Sequence, residues 1–161
     1  MLVVLNVAEA DAASPMPPDL EAEMRASGTE GIALCAAMEA EIADLDPSEQ
    51  PAFLASIGLR EPARERFIRA AYHLLDLISF FTVGEDEVRA WTVHRGDKAP
   101  RAAGKIHSDL ERGFIRAEVA HFDDFIATPG DAKARERAKM RLEGKEYVVR
   151  DGDILHIRAA V

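Results

Sequence analysis

The sequence predicts an α+β protein with a dividing line near its middle: an incomplete α/β segment over residues 1–77, then a β-grasp, ubiquitin-like unit over residues 78–161. Three observations lead there. In the N-terminal segment a helical stretch separates a pair of short apolar runs, the rhythm of a parallel strand–helix–strand unit. The C-terminal segment reads as a strand pair, a helix and further strands on one small sheet. Charge divides at the same place: residues 1–78 hold 14 acidic and 5 basic side chains, a net −9, whereas residues 79–161 hold 15 of each.

Each element has a local reason. Leu2-Val3-Val4-Leu5 is an unbroken apolar run, which predicts a strand covered on both faces. Pro15-Met16-Pro17-Pro18 is a loop, and Asp19 to Ala26 is helical until Ser27-Gly28. Gly31-Ile32-Ala33-Leu34-Cys35-Ala36 predicts a second strand, and Met38 to Leu45 a short acidic helix. Asp46 as N-cap and Pro47 in the first turn predict a helix through Phe53 and Leu54, closed by Gly58. Pro62 opens another helix, with Phe67, Ala70, Ala71, Leu74 and Leu75 at three- and four-residue spacing. Two short strands make a poor sheet, so this segment is expected to belong to a larger one.

The C-terminal segment alternates differently. Ile78 to Val83 and Val88 to Val93 are β-rich runs around Gly84-Glu85-Asp86, a hairpin signal. Arg95-Gly96-Asp97 is a turn. A helix is expected from about Ala102 to Glu111, ended by Gly113 at a C′ position. Phe114 to Val119 alternates as a third strand, and Asp131 to Leu142 predicts a helix of mixed charge. Tyr147-Val148-Val149 and Ile154 to Ile157 predict strands around an Asp151-Gly152 turn.

Composition narrows the function classes. A chain of 161 residues with 48% hydrophobic and 30% charged side chains can bury a core and is not expected to be disordered. Its apolar runs fall far short of the ~20 residues a membrane helix needs. The apolar start has no basic flank and stops at Asn6, unlike a signal peptide. One cysteine, Cys35, suits a reducing cytosol and cannot form an internal disulfide. The net −9 argues against nucleic acid, but only for the N-terminal segment. The balanced C-terminal segment leaves room for a one-sided basic face.

Particular residues then carry a resemblance. Phe80-Phe81-Thr82, Glu87-Val88-Arg89-Ala90-Trp91-Thr92, Arg95-Gly96, Ala99-Pro100, Ala102-Ala103-Gly104, Ile106-His107-Ser108-Asp109, Gly113-Phe114-Ile115-Arg116-Ala117-Glu118, Glu143-Gly144-Lys145 and Asp151-Gly152-Asp153 resemble the C-terminal TGS-type domain of the YchF/Obg-like ATPases. The N-terminal segment resembles the end of that family's nucleotide-binding domain. Asn6-Val7-Ala8-Glu9 is similar to its Asn-x-x-Glu base-recognition motif, and Cys35-Ala36-Ala37-Met38-Glu39-Ala40-Glu41 to its second base-recognition loop and helix. The resemblance implies a P-loop-NTPase-like fold for residues 1–77 and base contacts from Asn6, Glu9 and the main chain of Ala36. It also implies ATP rather than GTP, because Ala8 and Glu9 stand where guanine-binding relatives carry lysine and aspartate. Cys35 and Ala37 replace the family's usual serine and lysine, and Ala159-Ala160 its usual Phe-Asn.

The phosphate half of such a site is not expected in this chain. A P-loop needs G-x-x-x-x-G-K-[ST]. The two Gly-Lys pairs, Gly104-Lys105 and Gly144-Lys145, are followed by Ile106 and Glu146 and lack the earlier glycine. No Mg²⁺ site and no hydrolysis by the chain alone are expected, and any ATP binding is expected to be weak. The family's P-loop, switch segments and coiled-coil insertion would precede Met1, so the chain is expected to be a truncated portion. The TGS-type domain implies a ribosome- or RNA-facing role, with Arg95, Lys98, Arg101 and Lys105 as candidates. Lys133, Arg135, Arg137, Lys139 and Arg141 populate the later helix.

Plainer readings stand beside these. Asn6 can cap a strand end with Glu9 solvated, and the basic residues can form an ordinary mixed surface. His107-Ser108-Asp109 holds the residue types of a hydrolase triad, but the expectation is that Ile106 and His107 pack a helix on its sheet. Asp151, Asp153 and His156 are expected to form a turn and a strand rather than a metal site. Cys35 is expected to be a buried thiol, and Trp91, Phe80 and Phe81 sheet core rather than a stacking platform. The alternative to a nucleotide-linked role is a stand-alone interaction module that binds protein or RNA and no nucleotide.

Overall fold

The computed structural model describes residues 1–84, 87–128 and 140–160. It is a mixed α+β structure that divides into two compact units, Met1–Leu75 and Asp76–Val161.

In the first unit β1 (Leu2–Asn6) and β2 (Glu30–Leu34) run parallel, with Leu2 opposite Glu30 and Asn6 opposite Leu34. A 3-10 turn at Glu9–Asp11 and helix α1 (Pro18–Ala26) connect them. Helices α2 (Ala36–Asp44), α3 (Gln50–Ser56) and α4 (Ala63–Leu74) follow. Met24, Ile32, Cys35, Ile42, Leu54 and Ala63 are buried. Gly31 lets α1 press the Met24 thioether directly onto the β2 backbone, where a Cβ would collide with it. Gly58 closes α3 in the left-handed region, at φ 75°, while the Leu59 N–H reaches back to the Leu54 carbonyl at 2.9 Å.

Two expectations fail here for local reasons. β1 is not covered on both faces: Val4 is 45% exposed, because the helices packed on this two-stranded sheet leave it open. Asp46 does not cap a helix at Pro47. Its Oδ1 accepts the Ser48 N–H at 2.9 Å and the Ser48 hydroxyl at 2.6 Å. Residues 47–49 form a turn, and α3 begins at Gln50, three residues after Pro47, with Pro51 in its first turn.

The second unit is a five-stranded mixed sheet in the order β4-β3-β7-β5-β6. β3 (Leu77–Val83) and β4 (Val88–His94) form the expected antiparallel pair, although Glu85 and Asp86 lie outside the described residues. β7 (Asp153–Ala159) runs parallel to β3 and antiparallel to β5 (Phe114–His121), and β6 (Arg141–Glu143) closes the other edge. One face of the sheet presents Ile78, Phe80, Val93, Phe114, Ala117, Val119 and Leu155 to α5 (Ala99–Ile106), whose Ala99, Ala102 and Ala103 are fully buried. Alanines on that face let the helix axis approach closely.

Four corrections concern this unit. The helix expected over Ala102–Glu111 is two helices, α5 and α6 (Ser108–Arg112), broken at His107 with φ −161° and ψ 141°. The His107 Nδ1 accepts the Asp109 N–H at 3.1 Å, so His107 caps α6 from an exposed position while Ile106 alone packs on the core. Gly113 is not left-handed; it is required because a Cβ would strike the Ala160 carbonyl. Of the helix expected over Asp131–Leu142, residues 131–139 lie outside the described residues, and Arg141 and Leu142 belong to β6. Tyr147–Val149 is no sheet strand. The Ala99 N–H donates to the Tyr147 carbonyl at 2.8 Å and the Val149 N–H to the Asp97 carbonyl at 3.0 Å, which ties the segment to the start of α5.

One further element was not expected from sequence. α7 (Phe122–Ala127) covers some of the second sheet face, its Phe122 ring 5.9 Å from that of Phe81.

Candidate functional site

The parallel register of β1 and β2 brings the ends of both strands to one edge. The Val7 N–H donates to the Leu34 carbonyl at 2.8 Å, extending the ladder past Asn6. There the Ala36 N–H donates to Asn6 Oδ1 at 3.0 Å. Beside this bond lies an open cavity of about 570 Å³, lined by Asn6, Val7, Ala8, Glu9, Ala10, Cys35 and Ala37. The structure therefore brings Asn6 and Glu9 to one surface with the Cys35–Ala37 loop.

Each residue has a distinct place in it. Asn6 ends β1 and is exposed, its oxygen committed to Ala36 and its Nδ2 directed away from that bond. Glu9 opens the 3-10 turn, which the Asp11 N–H to Ala8 carbonyl bond (3.0 Å) and the Ala12 N–H to Glu9 carbonyl bond (3.1 Å) hold. Its carboxylate is exposed, with no ion-pair partner among the described residues. Cys35 is the N-cap residue of α2 and only 5% exposed. Ala36 donates its N–H to Asn6, and it lines a separate apolar groove with Leu34, Ile42 and Phe67. Val7 and Ala8, between the two motif residues, and Ala10 complete the lining; Ala10 had no signal in the sequence.

The basic candidates of the second unit are mostly paired. Arg95 Nε lies 3.1 Å from Asp76 Oδ1, Lys98 Nζ 2.5 Å from Glu146 Oε2, and Arg101 Nη1 4.0 Å from Glu111 Oε1. Lys105 is exposed and has no ion-pair partner among the described residues. Such solvent-facing pairs are worth little individually, so they leave the cations available to a stronger anion. Lys133, Arg135, Arg137 and Lys139 lie outside the described residues, and Arg141 sits on β6 with Glu143 Oε1 3.8 Å away.

The remaining sequence candidates have structural partners. Phe80 is fully buried, and Trp91 packs against the core with its Nε1–H donated to Thr82 Oγ1 at 2.9 Å. The Arg89 guanidinium covers the Trp91 ring at 4.2 Å. His107 and Asp109 do approach one another, with Nδ1 3.4 Å from Oδ2, but as a helix cap in which Arg112 holds the other carboxylate oxygen. Arg112 keeps the Asp109 carboxyl below its ordinary value, with burial opposing and the Arg112 and His107 charges assisting. Asp151 Oδ1 accepts the Ser79 N–H at 2.9 Å. Asp153 is fully buried, its Oδ2 accepting the Tyr147 hydroxyl at 2.7 Å and the Arg150 N–H at 2.8 Å. Burial first, and then the Asp153 carboxylate, push the Tyr147 phenol up to about 12. Among the described residues no three such side chains are grouped to hold a metal ion, and no helix is long and apolar enough to cross a membrane.

Comparison with known proteins decides the family. Residues 77–160 match YchF-GTPase_C, described as a protein of unknown function (DUF933). The chain belongs to the YchF-GTPase_C family. It is 49% identical over 162 residues to the ribosome-binding ATPase YchF of Bacillus subtilis, covering 98% of this chain and 44% of the relative. It is 52% identical over 129 residues to the YchF of Escherichia coli O157:H7, covering 80% of this chain and 36% of that one. The solved Schizosaccharomyces pombe YchF GTPase superposes with a TM-score of 0.82 at 31% identity, over 96% of this chain and 42% of that chain. The chain thus spans less than half the length of these YchF relatives.

Proposed function

We propose that this YchF-type chain carries the base-recognition edge of a nucleotide site in its first unit and a TGS-type β-grasp module in its second. The observation that supports the first role is the Asn6–Ala36 bond beside a cavity that also holds Glu9. With its amide oriented by Ala36, Asn6 offers the Nδ2–H₂ group as a donor, and Glu9 offers a carboxylate acceptor. Adenine presents the matching pattern, an N7 acceptor beside an N6–H₂ donor. Guanine puts the O6 acceptor where adenine has its amino group, so ATP is the favoured nucleotide and GTP the weaker one. The role of Ala36 is to hold Asn6 in this orientation.

The residues for triphosphate and Mg²⁺ are absent from this sequence, so base and sugar contacts alone give weak affinity and no hydrolysis. The relatives' printed names make ribosome association the natural role for the second unit, in the cytoplasm. Arg95, Lys98, Arg101 and Lys105 would face RNA phosphates there. An NMR titration of the chain with ATP tests the reading. The Asn6 side-chain amide and the Glu9 and Ala36 backbone amides should move together. Shifts confined to the second unit would contradict it.

A further inference from the structure

We infer that α4 positions the Cys35–Ala37 loop through two side chains, Arg66 and Glu39, and thereby sets the Asn6–Ala36 bond; the consequence for nucleotide rests on the base-site reading above. The two contacts flank Ala36 three residues to either side. Arg66 Nη1 donates to the Ala33 carbonyl at 3.1 Å, and Glu39 Oε2 accepts the Ala63 N–H at 2.8 Å. Both Arg66 and Ala63 belong to α4, so one twelve-residue helix grips the loop before and after its turn.

The Arg66 contact has a direction that matters. The Leu34 carbonyl faces β1, where it receives the Val7 N–H. Carbonyls alternate along a strand, so the Ala33 carbonyl faces the outer edge of β2, and Arg66 secures it there. The arrangement is costly. Arg66 Nε and Nη2 are buried and have no hydrogen-bond partner among the described residues. An apolar side chain would cover the sheet without leaving donors unsatisfied. The retained guanidinium is therefore explained by what it holds, the β2 carbonyl that leads into the loop.

The Glu39 contact works from the other side. α4 begins after Pro62, which has no side-chain acceptor for the helix's free N–H groups. Glu39 supplies one from α2, placing a carboxylate at the positive end of α4. The same contact pins the first turn of α2, which starts at Ala36. Arg66 and Glu39 are thus positioning residues: neither lines the Asn6–Glu9 cavity.

Amide hydrogen exchange on the whole chain without nucleotide separates this from a general stabilising role. In Arg66→Met the Ala36 amide should exchange about tenfold faster through local opening, while Leu5 and Ile32 in the same sheet keep their rates and the Tm holds. Arg66→Lys, which retains one donor, should recover most of the protection. Glu39→Ala should loosen the same amide by the independent route. Unchanged Ala36 exchange in both Arg66→Met and Glu39→Ala overturns the inference, as does acceleration spread evenly across the first unit. An ATP titration of the unsubstituted chain forms a separate arm. Loss of Ala36 protection in the variants, with no ATP binding by the parent, supports the clamp and overturns the base reading alone.

Discussion

Asn6 and Ala36 lie 30 residues apart in sequence, and the side-chain oxygen of the first receives the backbone N–H of the second at 3.0 Å. The bond links the end of β1 to the first residue of α2. It also fixes which way the Asn6 amide faces, with the Nδ2–H₂ group turned away from Ala36.

That bond should have a modest structural weight. Asn6→Ala leaves the Ala36 N–H to water at an exposed edge, so a loss of about 0.5–1.5 kcal/mol is expected in denaturant unfolding of the first unit. Asn6→Asp retains the acceptor and should keep most of the stability while losing the Nδ2 donor. Equal destabilisation by both would contradict the bonding described.

Gly113 and Gly104 should respond very differently to alanine. At Gly113 the added Cβ meets the backbone of Ala160, whose N–H also donates to the Gly113 carbonyl at 2.9 Å. Neither strand end can yield easily, and Gly113→Ala should cost roughly 1–3 kcal/mol as overpacking. At Gly104 the Cβ meets the end of the Glu111 side chain, which can swing away. Thermal melts of the two variants, compared directly, test this ordering.

Tyr147 gives the second unit a pH dependence in the alkaline range. Its folded value, raised to about 12, lies above that of an unfolded tyrosine, near 10. The folded state therefore holds this proton more tightly. The contribution is complete below about pH 10 and is lost as pH rises towards 12. Tyr147→Phe should be less stable near neutrality by its lost bond to Asp153, and its stability should fall less between about pH 10 and 12. Parallel curves for the two proteins would show that Tyr147 ionises as it does in the unfolded chain.

The proposed ribosome association through surface cations predicts binding that weakens steeply with salt. Lys105→Ala removes a cation that has no ion-pair partner among the described residues. It should lower the salt slope by about one phosphate contact. Co-sedimentation across a salt series reads both effects. Binding insensitive to salt would exclude a phosphate-led mode.

Much of this architecture was legible in the sequence, and the failures share a cause. The Leu2–Leu5 and Ile78–Val83 runs and the break at Gly58 depend on patterns within a few residues, and each predicted its element. The break at His107 did not announce itself, because the apolar spacing through Ile106 and Leu110 continues as if helical. Only the imidazole's bond to the Asp109 N–H ends α5 there. Asp46 misled in the opposite way, bonding Ser48 rather than a helix terminus. The partners of Arg66 and Glu39 were unreadable because Ala33 and Ala63 contribute backbone atoms, which carry no residue-specific signal.

The central claim is that Asn6 and Glu9 form an adenine-recognising edge, and calorimetric titration of the whole chain with ATP tests it most directly. Weak ATP binding, weaker GTP binding and loss of the ATP signal in Asn6→Ala with the fold retained are the predicted results. Undiminished ATP binding by Asn6→Ala, or no ATP binding by the unsubstituted chain, would contradict the claim.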